Sequence, residues 1–149
     1  MTHLLLALSL SLTAAAAPVI TLERTPCFGS CPAYKLEIFA DGRLVYEGKD
    51  SVKRKGRVQG RITKAAVQQL VREFNRINYM RLDNDYVGEG PNCPEYWTDS
   101  ASAITSLNWK GRQKTIHHYY GCRGLKVLDQ LTALENKIDK VANTKRWVK

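Results

Sequence analysis

Between Tyr34 and Tyr46 apolar and polar residues alternate on either side of a break at Ala40, Asp41 and Gly42. A three-residue turn with Gly42 in the left-handed region puts Tyr34, Leu36, Ile38, Leu44 and Tyr46 on one face of a hairpin and sets Lys35 opposite Glu47 on the other. A two-residue turn would mix the faces, so the pattern selects the longer one. Residues 19–25, VITLERT, predict a strand before this hairpin, and residues 57–62 predict one after it. A second hairpin is predicted over 103–109 and 112–120, turning at Lys110 and Gly111.

The period then changes from two to 3.6 in two places. Thr63 is an N-cap for a helix from 64 to about 78, with Val67, Leu70, Val71, Phe74 and Ile77 along one stripe. A second helix runs from 125 to about 142, its path marked by Leu128, Leu131, Leu134 or Glu135, Ile138 and Val141, with Trp147 beyond it as a packing lid. Between the helices, residues 79–82 predict a short strand, and 83–100 (DNDYVGEGPNCPEYWTDS) form a connection too long for a compact domain unless it is functional or disordered. Strands and helices do not alternate regularly. The order therefore predicts an α+β fold: a mainly antiparallel sheet built from hairpins, packed with two α-helices in a single two-layer domain.

The amino end changes the picture of where this domain works. Residues 4–12 are apolar, small residues follow, and Pro18 closes the run, the pattern of a secretory signal peptide too short to span a bilayer. Its n-region lacks Lys and Arg. The cut is expected beside Ala16 or Ala17, the former preferred because proline follows the latter, so we assign 1–17 to the leader and 18–149 to one domain. A lipoprotein would carry a cysteine at the cut, and Cys27 lies well beyond it. No later segment is apolar enough to span a membrane, and the mature chain is expected in the periplasm or secreted. All 23 Lys and Arg and all 14 Asp and Glu fall beyond residue 17, so the exported part keeps the formal charge of +9. Such a surface attracts anionic lipid, wall polymers or nucleic acid.

Four cysteines, Cys27, Cys31, Cys93 and Cys122, allow three pairings in an oxidising compartment. The CxxxC spacing before a strand is not the CxxC at a helix start that redox catalysis uses, and the pairs are not the two CxxC knuckles of a zinc ribbon. The cysteines therefore read as structural staples. No GxSxG elbow, HExxH helix or phosphate-cradling glycine loop occurs, and nothing calls for a metal or a cofactor.

The string TPCFGSCPAYKLEIFADGRLVYEG, with the helix after GRIT and the CPEYWTD and HYYGCRG segments, resembles the bacterial family catalogued as domain of unknown function 6438. The likeness runs from about residue 20 to 147, and its most specific part is CFGxCPxY, carried by Cys27, Phe28, Gly29, Cys31, Pro32 and Tyr34. It implies export and a compact domain and supplies no catalytic residue. Relatives that hold the first cysteine pair without the second imply the pairing Cys27 with Cys31 and Cys93 with Cys122. Chain entropy values these closures at roughly 2 and roughly 3.5 kcal/mol.

That second closure would bring Glu95, Tyr96, Trp97, Thr98 and Asp99 beside His117, His118, Tyr119, Tyr120 and Arg123, a neighbourhood in which Tyr96, Trp97, Asp99, His117, His118, Tyr119 and Arg123 are the candidate ligand-binding residues. Neighbouring histidines on a strand face opposite ways, so one belongs near the core and the two cannot readily share a metal. The basic run of residues 51–62, with Lys53, Arg54, Lys55, Arg57 and Arg61, reads either as a charged edge strand that blocks aggregation or as a patch for anionic envelope polymer or membrane. It holds no aromatics for base stacking, which disfavours nucleic acid. The expected function is a non-catalytic binding or interaction module of the cell envelope, its ligand or protein partner unknown. The alternative is a small envelope hydrolase pairing His117 or His118 with Asp99 or Glu95.

Overall fold

The computed structural model describes residues 14–149, so residues 1–13 of the leader expected over 1–17 lie outside the described residues. The elements are β1 (Ile20–Arg24), β2 (Ala33–Ile38), β3 (Arg43–Asp50), β4 (Gly56–Arg61), α1 (Lys64–Arg76), β5 (Asp85–Tyr86), β6 (Glu95–Tyr96), β7 (Ser102–Trp109), β8 (Arg112–Tyr119), β9 (Cys122–Arg123), α2 (Lys126–Ala142) and α3 (Lys145–Val148). Seven strands form one sheet in the order β4-β3-β2-β1-β7-β8-β5, while β6 and β9 pair separately. Every pairing between neighbouring strands is antiparallel except that of β5 with β8. Strand β1 joins the two halves, with β2 on one side and β7 on the other.

The first hairpin has the register its alternation demands: Lys35 faces Glu47, Leu36 faces Tyr46 and Ile38 faces Leu44. Its turn is the three-residue form, with Gly42 at φ +91 and a β-carbon there colliding with the carbonyl of Ile62. In the second hairpin Trp109 faces Arg112, and Lys110 and Gly111 both have positive φ, the geometry that follows the twist of paired strands. Thr63 caps α1 by accepting the Ala66 N–H at 3.0 Å.

One face of the sheet is apolar and covered. Ile20, Leu22, Leu36, Ile38, Leu44, Tyr46, Leu107 and Ile116 are sealed from solvent with Val67, Leu70, Val71 and Phe74 of α1 and Leu128, Leu131, Leu134 and Ile138 of α2. The opposite face carries polar pairs, Thr21 with Ser106 at 2.6 Å, Lys49 with Glu23 at 2.6 Å and Lys35 with Glu37 at 3.0 Å. Trp147, on α3, is buried and stacks on Tyr46 with ring centroids 4.8 Å apart, so it does serve as the lid.

The strand expected at 79–82 is instead one turn of 3-10 helix over Tyr79–Arg81. Asn78 sits in the left-handed region and turns the chain over the sheet. There Tyr79 buries its ring edge-on against Phe74 and donates its hydroxyl to the Thr105 carbonyl at 2.9 Å. A buried phenol needs such a partner, and an extended backbone would turn it away.

The Gly42→Ala change should cost about 2 kcal/mol, because it combines a left-handed backbone with a collision. Urea unfolding of the two proteins measures it, and an unchanged midpoint would contradict this reading of the turn.

Candidate functional site at the stapled end

Two disulfides, Cys27–Cys31 and Cys93–Cys122, are present. The second clamps the β6–β9 ribbon, in which Glu95 faces Arg123 and Tyr96 faces Cys122. From there the chain is held by hydrogen bonds. The Trp97 N–H donates to the Gly121 carbonyl at 2.8 Å, Tyr119 donates its hydroxyl to the Trp97 carbonyl at 2.7 Å, and the Ser100 N–H donates to the Tyr119 oxygen at 3.1 Å. Gly121 is required here, since a β-carbon would strike both the Trp97 carbonyl and the Tyr119 ring. The Tyr96 and Tyr119 rings lie 5.4 Å apart, and the Arg123 guanidinium sits 5.2 Å from the centre of the Trp97 ring. The loop of the first disulfide joins the same end, because the Phe28 N–H donates to the Asp99 carbonyl at 3.3 Å. Phe28, Trp97 and Tyr96 are 88%, 59% and 41% exposed.

Tyr96, Trp97, Tyr119 and Arg123 are thus brought together, with Asp99 beside them in the same loop. The histidines part company. His117 is half-buried, two residues before Tyr119 and therefore on the same side of β8, with its N–H on the Asn84 carbonyl at 2.8 Å. His118 turns into the core and is 1% exposed.

The carboxylate that meets an imidazole is Glu135, not Glu95 or Asp99. His118 Nδ1 lies 2.9 Å from Glu135 Oε1, and a carboxylate acceptor makes Nδ1 the protonated nitrogen. Glu95 is exposed and pairs with Arg123 through its backbone, and among the described residues the Asp99 carboxylate accepts only from Thr98. His118 Nε2 has no partner among the described residues and is shut off from solvent. The ring borders a cleft of about 400 Å³ that Tyr120, Arg123, Asp129 and Thr132 also line.

Glu135 belongs to a larger buried network. Its Oε2 accepts the Tyr120 hydroxyl at 2.5 Å, and Tyr120 in turn accepts from Arg24 Nη1 at 2.6 Å. Arg24 also donates Nε to Asp139 Oδ2 at 2.8 Å and Nη2 to Asn136 Oδ1 at 3.1 Å. Asp139 Oδ1 accepts the hydroxyls of Tyr34 at 2.6 Å and Thr144 at 2.8 Å. Burial acts to lower the Arg24 pKa, but Asp139 and the two tyrosine oxygens outweigh it and hold the guanidinium above its ordinary value. Burial, then Asp139, raises the Tyr34 phenol; burial, then Glu135, raises that of Tyr120; burial raises Tyr79.

Tyr120 was expected beside the histidines, but none of Arg24, Tyr34, Glu135 or Asp139 was expected at a site, although Arg24 and Glu135 leave a trace in the pattern. Arg24 continues the inward alternation of Ile20 and Leu22, and Glu135 sits on the apolar stripe of Leu128, Leu131, Ile138 and Ala142. A charge at a core-facing position implies a buried partner.

The basic run occupies the sheet's outer strand, β4, and the loop before it. Lys53, Arg54, Lys55, Arg57 and Arg61 are all exposed, and among the described residues only Lys55 of the five forms a salt bridge, with Asp50 at 3.7 Å. Among the described residues no helix is long and apolar enough to cross a membrane.

Fold and site together define a disulfide-stapled α+β domain with a buried ionic network under its long helix and aromatic residues exposed at its stapled end. Residues 18–142 match the family model described as Domain of unknown function (DUF6438), and the chain belongs to that family. No curated protein matches it.

Asp139→Ala leaves the Arg24 guanidinium without its ion partner and should lower unfolding free energy by about 3 kcal/mol. Asp129→Ala, at an exposed position of the same helix, should stay within about 0.5 kcal/mol. Denaturant melts of the two variants provide the comparison.

The raised phenols set the alkaline limit of stability. Tyr34, Tyr79 and Tyr120 hold their protons in the native state above the pH at which an unfolded tyrosine loses them, about 10. Their contribution is complete below that pH and declines as pH rises through it, because the unfolded chain then binds fewer protons than the native one. Phenolate absorbance should therefore rise in two stages, the later one coinciding with loss of near-ultraviolet circular dichroism. A single stage with the fold intact would contradict the buried network.

Proposed function

We propose that the protein is a non-catalytic binding module exported to the oxidising cell envelope of a bacterium, in the periplasm or outside the cell, and that the stapled end is its docking face. The observation that carries this reading is the exposure of Phe28, Tyr96 and Trp97 on a loop frame tied by two disulfides and by backbone hydrogen bonds. Single exposed apolar residues are ordinary, but aromatic residues grouped with an arginine and rimmed by polar groups have the composition of interaction sites. Trp, Tyr and Arg are also the residues that dominate binding energy when a partner covers them. The frame is preorganised, so little ordering would oppose binding.

Disulfides form and persist in oxidising compartments, which supports export. The ligand or partner is expected to present an apolar surface to Trp97 and a hydrogen-bond acceptor to Arg123.

The contact between His118 and Glu135 is the one observation that favours a hydrolase instead. Nε2, the atom that would take the proton, is shut off from solvent, so the pair serves the core in this conformation. A catalytic pair would make turnover of an ester or amide substrate collapse in His118→Gln while capture of the partner by the aromatic face persisted.

Envelope extract passed over the immobilised oxidised protein tests the docking face. A component retained by the native protein should be held at least roughly tenfold more weakly by Trp97→Ala, with the unfolding midpoint unchanged. Equal retention by the two proteins would remove the face from the account.

A further inference from the structure

The basic run is joined to the carboxyl-terminal helix. Arg54 donates its N–H to the Trp147 carbonyl at 2.8 Å, and Lys53 donates to that of Val148 at 3.3 Å. Beside this junction, between the end of α2 and α3, lies a cleft of about 380 Å³. Lys140, Lys145 and Lys149 line it, all three exposed, together with the buried ring of Tyr34 and the half-buried Val148. The acidic side chain in the lining, Asp139, has both oxygens engaged by Arg24, Tyr34 and Thr144. Among the described residues none of these three lysines, nor Lys53 or Arg54, forms a salt bridge.

A lysine near a helix end is commonplace, since it complements the dipole. Here three of them converge with a basic loop on a cleft that has an apolar side. Lysine stems are themselves apolar, so the cations stand around a surface that methylene groups can enter. A bare polyanion has no use for that surface. A phospholipid has a phosphate for the lysines and glycerol carbons for the lysine stems and Val148.

We propose that this cleft and the adjoining basic run bind the headgroup of an anionic phospholipid, docking this face of the protein on a membrane surface. The site extends the basic run across the α2–α3 junction and uses no residue of the aromatic face, so either surface can fail without the other. Attraction of a lysine cluster to anionic lipid falls off within a Debye length, so the contact should be salt-sensitive.

Sedimentation of the full oxidised protein with vesicles tests it, using phosphatidylcholine alone and phosphatidylcholine mixed with phosphatidylglycerol. The protein should sediment with the mixed vesicles only. Combined Lys140→Glu, Lys145→Glu and Lys149→Glu should weaken this at least roughly tenfold. The matched reversal Lys110→Glu, Arg112→Glu and Lys114→Glu, around the β7–β8 turn, removes the same charge and should weaken it by no more than about threefold. Should the first reversal disturb folding, Lys→Gln at the same three positions gives the same readout. Equal weakening by the two sets, or no binding to the mixed vesicles, would overturn the site. So would competition by soluble glycerol phosphate or polyphosphate as effective as that of the lipid, which would make the ligand a phosphate in solution.

Discussion

Glu135 and Asp139 lie four residues apart on one face of α2, and both must find partners inside the protein because that face is pressed against the sheet. This constraint organises the rest. A carboxylate removed from water is costly unless it is paired and hydrogen-bonded, and one left alone would expel the helix. The sheet answers with Arg24, Tyr34 and His118 on its core side, at the end of the strands nearest the disulfides, and with Tyr120 just beyond β8. The apolar stripe of Leu128, Leu131, Leu134 and Ile138 turns one face of α2 to the sheet and leaves its fine position open. The forked guanidinium, satisfied by Asp139, Asn136 and Tyr120 at once, selects one position.

Both surfaces of interest hang from that position. Tyr120 precedes Gly121 and Cys122, so fixing it fixes the start of the ribbon that carries Trp97 and Arg123. Asp139 and Thr144 hold the turn from α2 into α3, and with it the lysines and Trp147. The disulfides then finish what the network begins. Cys93–Cys122 binds the long connection to the end of the second hairpin, and Cys27–Cys31 shapes the loop that presents Phe28.

Much of this was legible wherever structure depends on neighbours in sequence. The first hairpin reads off its alternation because a half-buried sheet enforces a period of two, and Gly42 marks the only turn that keeps the faces apart. The helix stripes, the Lys110–Gly111 turn and the lid role of Trp147 follow from the same local logic. Tyr79 misled because its apolar neighbours read as strand, whereas its hydroxyl needed Thr105 on β7. The network was not legible as a site, since Arg24 and Asp139 are 115 positions apart and nothing local says that two misplaced charges will meet. Glu135 gave the hint by standing on an apolar stripe. Strand alternation placed one of the two histidines near the core without saying which; it is His118, the partner of Glu135.

If the network is a unit that positions α2, its members must fail together rather than one by one. The direct measurement is a double-mutant cycle on Arg24→Met and Asp139→Leu, read by denaturant unfolding. Each single change strands a buried charge, whereas the double change replaces an ion pair by apolar side chains of similar bulk. The account predicts that both single variants are strongly destabilised and that the double variant recovers most of the loss, a coupling of about 2 kcal/mol or more. Additive losses would show that Arg24 and Asp139 act separately, and would contradict the claim that this network sets the position of the helix.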